Sequence, residues 1–102
     1  MPSETEQLIA TVAALDNPHR IRIIAELSKG REYVSELSRR LDLSRPLLYL
    51  HLEKLETAGF VSSKLELASD GKAMKYYELR DFDVRITPAS IVKALKADRS
   101  GR

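Results

Sequence analysis

Two histidines, no cysteine and a scatter of carboxylates are the residues from which metal or covalent chemistry would have to be built. His19 and His51 stand far apart with no third ligand at metal-site spacing, and without thiolates there is no zinc cluster, cysteine nucleophile or disulfide frame. Serine, histidine and aspartate all occur, but no nucleophile elbow, glycine-rich phosphate loop or paired-carboxylate signature accompanies them. The expectation is a protein that holds no metal and no cofactor and is not an enzyme. What remains is non-covalent recognition. Seventeen Lys and Arg against fifteen Asp and Glu give a net charge of +2, which permits an anionic partner without demanding one. From residue 84 onward Arg85, Lys93, Lys96, Arg99 and Arg102 face Asp98 alone, so the excess is concentrated at the C-terminal end.

The 102 residues suit one small domain, expected to span 1–102, with little interior left for a deep substrate pocket. No apolar run approaches the ~18 residues of a membrane span, and the opening MPSETEQ lacks a basic leader region. A soluble, cytoplasmic protein without membrane association is expected.

The elements follow from periodicity and caps. Leu8, Val12 and Leu15, with Ile9 beside them, recur at helical spacing and predict an amphipathic helix over about 5–16. Asn17 then Pro18 opens a second helix and Gly30 closes it; its apolar positions cover more than one face, while Arg20, Arg22 and Glu26 are expected outside. After an extended connector, Val34, Leu37 and Leu41 mark a short third helix ending near Asp42. Ser44 caps a fourth over 44–58, with Pro46 in its first turn, Leu48, Leu52 and Leu55 as its stripe, and Gly59 beyond its end. Two helices joined by about three residues, the second opened by a serine cap, satisfy the requirement of a helix-turn-helix. From Phe60 the period becomes 2: Val61, Ser63, Leu65 and Leu67 alternate with polar residues, Ser69-Asp70-Gly71-Lys72 turns, and tyrosine-rich 74–80 returns, giving a hairpin over 60–81. Tyr76 and Tyr77 must face opposite sides, one expected in the core and one at the surface. Thr87-Pro88 caps a last helix, about 88–97, with Ile91, Val92 and Leu95 as its seam and a frayed tail from Asp98. The result is a mainly α fold with a small β-hairpin wing, a winged helix-turn-helix of order α-α-(β)-α-α-β-β-α.

Within that order, Leu15-Asp16-Asn17-Pro18-His19-Arg20-Ile21-Arg22-Ile23-Ile24 resembles the opening of ArsR-like transcription regulators. Val34-Ser35-Glu36-Leu37-Ser38-Arg39-Arg40-Leu41, Leu43-Ser44-Arg45-Pro46, His51-Leu52, Leu55 and Ala58-Gly59-Phe60-Val61 are similar to the family's helix-turn-helix signature. With the wing, the resemblance covers roughly residues 8–81. Asp42 stands where the family commonly has glycine in the turn; it can still adopt a left-handed conformation there, at some cost. Leu47, Tyr49 and Leu50 occupy positions that are often small polar or basic. The thiolate metal-sensing sites of many relatives have no carrier residues here, so no metal response is expected, and no residue cluster announces an effector.

The resemblance implies that the helix from Ser44 enters the major groove of double-stranded DNA. Arg45 is the first candidate reader, since its fork matches guanine O6 and N7; phosphate or solvent contact is the alternative. Ser44 is a cap first, with Pro46 beside it in the same turn. At 100° per residue Leu50 points away from the core stripe, so Leu47 and Leu50 become candidates for thymine methyl groups and Tyr49 for a phosphate or base edge. Lys54 follows on the outward side. His51 matches a histidine common in the family's recognition helix, either near a phosphate or packed inside. Lys64, Lys72 and Lys75 suit wing contacts with backbone or minor groove. The stripes of the first and last helices, Leu8, Ile9, Val12, Leu15, Ile91, Val92 and Leu95, are expected to pair across a two-fold axis, the alternative being that both helices fold back on their own subunit. The expectation is a homodimeric, sequence-specific regulator, a repressor on the family's pattern, recognising a pseudo-palindromic operator. A winged-helix protein-interaction module without specific DNA binding is the second reading.

Overall fold

The computed structural model describes residues 2–100. Helices α1 (Glu4–Leu15), α2 (Pro18–Leu27), α3 (Val34–Leu41), α4 (Arg45–Thr57) and α5 (Pro88–Ser100) surround strands β1 (Glu32–Tyr33), β2 (Val61–Leu67) and β3 (Ala73–Leu79). Side-chain caps set most helix starts. Ser3 Oγ accepts from the Glu6 amide at 3.0 Å, Asn17 Oδ1 from His19 at 2.8 Å and Ser44 Oγ from Leu47 at 3.4 Å, each relieving an amide that has no partner within its helix. Thr87 and Ser90 cap α5 reciprocally, the Thr87 amide donating to Ser90 Oγ and the Ser90 amide to Thr87 Oγ1.

The turn from α3 to α4 is built on Asp42, the one non-glycine residue with positive φ among those described (φ 53°, ψ 48°). With Asp42 left-handed, its own amide donates to Arg39 O and the Leu43 amide to Ser38 O, the paired closure of a Schellman motif. The Ser38 hydroxyl adds a bond to Leu43 O. Leu43 is thereby carried back into the core, and α4 starts at a fixed angle to α3. Gly59 (φ 86°) closes α4 in the same way, its amide on Glu56 O and that of Phe60 on Leu55 O.

Ile23, Leu37, Leu48, Leu52 and Leu55 are fully enclosed, packed with Leu27, Val34, Leu41, Phe60, Val61 and Tyr77. One residue from nearly every element meets at α4, and α4 is the axis of the domain. The three-stranded sheet has the order β1-β3-β2, all antiparallel, with Tyr33 opposite Tyr76 and Val61 opposite Leu79. The Cα radius of gyration of the protein is 16.4 Å and its extents are 55 × 25 × 22 Å, whereas a compact chain of 100 residues has a radius near ~13 Å.

Several expectations are corrected. The α5 helix runs to Ser100, and Asp98 is part of it: its carboxylate accepts from the Glu4 and Thr5 amides at 2.8 and 3.2 Å, so the end of α5 caps the start of α1. Hydrogen bonds from Thr5 and from these amides hold Asp98 below the ordinary carboxylate range. Tyr76 and Tyr77 are both buried. Tyr77 packs in the core, while Tyr76 on the opposite face is covered by Tyr33, edge-on at 6.1 Å, and by the Arg31 guanidinium 4.2 Å from its ring centre. Short β1 makes this possible, because it adds cover that a bare hairpin lacks. Beyond that cover the wing is naked: Leu65 and Leu67, expected on the core-facing side of a half-buried strand, are 72% and 77% exposed.

The two faces of α4 differ in what a truncation should do. Leu52→Ala, at a fully enclosed site, is expected to cost about 2–5 kcal/mol in urea unfolding. Leu50→Ala, at a position 50% exposed, should stay within about 0.5 kcal/mol of wild type. Equal losses at the two sites would contradict this packing.

Candidate nucleic-acid interface

Along α4 the buried side is Leu48, His51, Leu52 and Leu55. The rest of the helix is open to solvent, including Arg45, Pro46, Leu47, Tyr49, Leu50 and Lys54, with Ser44 exposed at the cap. At 100° per residue Leu47, Leu50 and Lys54 form one outward row, while Arg45 and Tyr49 lie toward the wing. The wing approaches from that side. Ser63 Oγ donates to Glu56 at 2.8 Å, and Lys75 Nζ lies 5.8 Å from the Tyr49 ring centre and 5.3 Å from that of Tyr77. Hydrogen bonding to Tyr77, opposed in part by burial, raises Lys75 above its ordinary value, so it is a cation at any physiological pH.

Between α4 and the wing runs an open groove of about 580 Å³. Arg45 and Tyr49 of α4, Lys72 and Lys75 of the wing and Ser35 at the start of α3 line it, with Leu65 and Asp70 among its other walls. Asp70 is partly engaged, its carboxylate accepting from the Lys72 amide at 3.0 Å. The start of α3 has no side-chain cap. Val34 and Ser35, its first two residues, line the groove, at the helix end that attracts anions. Three side-chain cations, an uncapped helix start and a serine hydroxyl make a surface suited to phosphates along its rim. Lys64 is not part of it: opposite Tyr76 in the register, it lies on the outer face of the wing, with Glu66. The sequence pattern does not single out Ser35; its place one residue into the third helix is the signal for it.

His51 takes the packed one of its two alternatives. It is only 4% exposed and cannot reach a phosphate from there. Its Nδ1 accepts from Arg20 Nε at 3.1 Å, which fixes the neutral ring with its proton on Nε2. Arg20, expected outside, is half-buried and also donates from Nη1 to Ala13 O at 3.2 Å and Ala14 O at 3.4 Å. One guanidinium thus ties the end of α1 to the middle of α4. The His19 ring lies nearby, 5.4 Å between ring centres and tilted by 43°. His51 Nε2 and His19 Nδ1 are buried without a partner among the described residues, and no group of three or more metal-ligating side chains is formed among those residues. Burial first, then the charges of Arg20 and His19, push His51 below its ordinary value of 6.5.

On α1 and α5, Ile9, Val12, Ile91, Val92 and Leu95 are exposed, with Ile9 at 62%. Leu8 and Leu15 are half-buried. Leu15 packs against the core and Leu8 lines a cleft between α1 and α5. The first and last helices therefore lie together within one subunit and still present an apolar face outward.

The family described as "Bacterial regulatory protein, arsR family" matches residues 17–63. An HTH-type transcriptional regulator of Methanocaldococcus jannaschii is 40% identical over 80 residues, covering 78% of this chain and 83% of that protein. Among solved structures, NolR from Sinorhizobium fredii is similar with 28% identity over 92% of this chain and 82% of its own, at a TM-score of 0.66. Reduced HlyU from Vibrio cholerae has 26% identity over 92% and 87%, at 0.62. An ArsR family transcriptional regulator has 25% identity over 94% of each chain, at 0.64.

A histidine kept neutral by the fold stabilises the protein above its ordinary value and ceases to do so as acid protonates the unfolded chain first. The thermal midpoint should therefore fall as pH drops from 7 to 5, a window above that of the lowered carboxylates Glu36, Glu66 and Asp98. His51→Gln keeps an acceptor for Arg20 without titrating, and a flatter profile over that interval is expected. A profile as steep as that of wild type would remove His51 as the cause.

Proposed function

The chain belongs to the ArsR family and is a transcription regulator with a helix-turn-helix DNA-binding fold, not an enzyme; from that premise we propose that it is a homodimeric repressor of a pseudo-palindromic operator. The observation that carries the reading is the division of α4 into a fully enclosed side and an open side of Arg45, Leu47, Tyr49, Leu50 and Lys54. In the proposed complex α4 lies in the major groove, with Arg45 paired to guanine and Leu47 and Leu50 against thymine methyl groups. Lys72, Lys75 and the start of α3 hold the flanking phosphates, and the wing follows the backbone into the neighbouring minor groove.

The dimer in this proposal forms through Ile9, Val12, Ile91, Val92 and Leu95. An apolar face on an elongated subunit supports it, since such a face is unfavourable in water until covered. A two-fold pairing places the two α4 helices about one turn of DNA apart, ~34 Å. Occupying a promoter at that spacing excludes other proteins from it, which is the sense in which the regulator represses. No helix among the described residues is long and apolar enough to cross a membrane.

Selection from randomised duplex DNA with purified protein should return an inverted repeat bound at about 10⁻⁸ M or tighter. Arg45→Ala should lose about 1–3 kcal/mol and relax the preference at one position in each half-site. Recovery of weak, sequence-indifferent binding, unchanged by this substitution, would sink the operator reading. For the dimer, Val92→Glu should halve the mass seen by light scattering from about 23 kDa to the 11.5 kDa of one chain and weaken operator binding along with it; an unchanged mass would contradict the interface.

A further inference from the structure

Leu65 and Leu67 are the most exposed large apolar residues among those described, and their orientation is enforced. Successive residues of β2 alternate between faces. Glu66, between them, is anchored on the outer face: it accepts from the Tyr33 hydroxyl at 2.6 Å and pairs with Arg31 at 3.4 Å. Farther back on the inner face, Ser63 is bonded to Glu56 of α4 and Lys75, opposite Leu65, lies over Tyr49. A slip of one residue would break every one of these contacts. The two leucines therefore share the inner face of the wing, where Leu65 lines the groove and Leu67, opposite Ala73, stands one step farther along the strand.

The same groove carries Arg45, Lys72 and Lys75 against the single carboxylate of Asp70. An apolar wall under a cationic rim matches one strand of duplex DNA lying edge-on, with phosphates at the rim and the C–H faces of deoxyribose against the wall. Building on the operator-binding reading, we propose that Leu65 and Leu67 form an apolar rail that seats against the sugar wall of the minor groove flanking each half-site. The rail supplies affinity that does not depend on salt, because it displaces water and not counterions. It also makes binding depend on the width of the flanking minor groove at positions where no base is touched.

The test uses full-length protein and the fluorescein-labelled duplex recovered by the selection above, titrated at 50, 100 and 200 mM salt. Leu65→Ser with Leu67→Ser, both at solvent-exposed sites, should bind about tenfold more weakly at every salt concentration with an unchanged slope of log affinity against log salt. Lys72→Ala should flatten that slope by about 2 for a dimer, one phosphate per subunit. Replacing both leucines by methionine should restore most of the affinity. Wild-type affinity in the serine variant would overturn the rail while leaving operator binding intact, and so would a loss accompanied by a changed slope. If the serine variant instead turns a dimer into a monomer in light scattering, the wall is an interface between copies and the proposal fails. Absence of binding by wild type would remove the operator reading itself.

Discussion

Enclosure of one side of α4 is the constraint on which the rest of the molecule depends. Leu48, Leu52 and Leu55 are shut off from water by residues of α2, α3 and the base of the wing, and burying side chains of this size stabilises by roughly 1.5–3 kcal/mol each. That gain is available in only one rotation of the helix about its axis. A turn of α4 by one residue would draw Leu48 toward solvent and drive Tyr49 into the core. The exposed residues are thereby held in a fixed arrangement without any contact of their own, which is how a small domain without disulfides or metal can present a rigid recognition surface.

The polar tie through Arg20 adds a second constraint, of a different kind. An arginine that spans from two backbone carbonyls of α1 to a ring nitrogen of α4 couples the helix that carries the exposed apolar face to the helix that faces the groove. Its charge is hydrogen-bonded on both sides, and the histidine it meets must be neutral to accept. Protonating His51 would place two cations in one half-buried site and remove the acceptor at the same moment. The connection between α1 and α4 is thus conditional on the state of one ring.

Much of the framework was legible because caps and periods agree. Asn17-Pro18, Ser44 and Thr87-Pro88 mark helix starts whose side chains bond as the motif demands, and Asp42 takes the left-handed turn that its place before Leu43 requires. What the sequence concealed depends on partners distant in the chain. Two residues of β1 pair with β3 and cover Tyr76, and a two-residue strand has no period to read. Arg20 reads as a surface cation until His51 and the end of α1 are placed around it. Asp98 reads as a tail residue until the start of α1 arrives beside it, 94 positions away in sequence. The alternation of β2 told correctly that Leu65 and Leu67 share a face with Val61. It did not tell that the wing outruns the core, so that the same face is enclosed at one end and bare at the other.

A net charge of +2 understates how sharply the cations are sorted. Arg20 and Arg22 donate to groups within the domain, Arg31 lies on Tyr76 and Glu66, Arg39 is paired with Glu36, and Arg40 reaches Glu26, Glu32 and Glu36. The pull of Arg39 and Arg40 holds Glu36 at about 2, so this cluster remains neutralised across the physiological range. Each exposed pair contributes little to stability. Their larger effect is on the field outside. With these guanidiniums matched by carboxylates or engaged on the framework, the cations left without an ion-pair partner among the described residues include Arg45, Lys72 and Lys75, which line one groove. The groove, with three cations against the one carboxylate of Asp70, is thus locally positive although the chain is nearly neutral overall. Beside it stand leucines and a tyrosine that gain only from close fit. Long-range attraction brings any duplex to such a surface, but only one whose grooves match the spacing of α4 and the wing can cover the apolar side chains. In the proposed complex, that balance makes discrimination rest more on shape and methyl contacts than on charge.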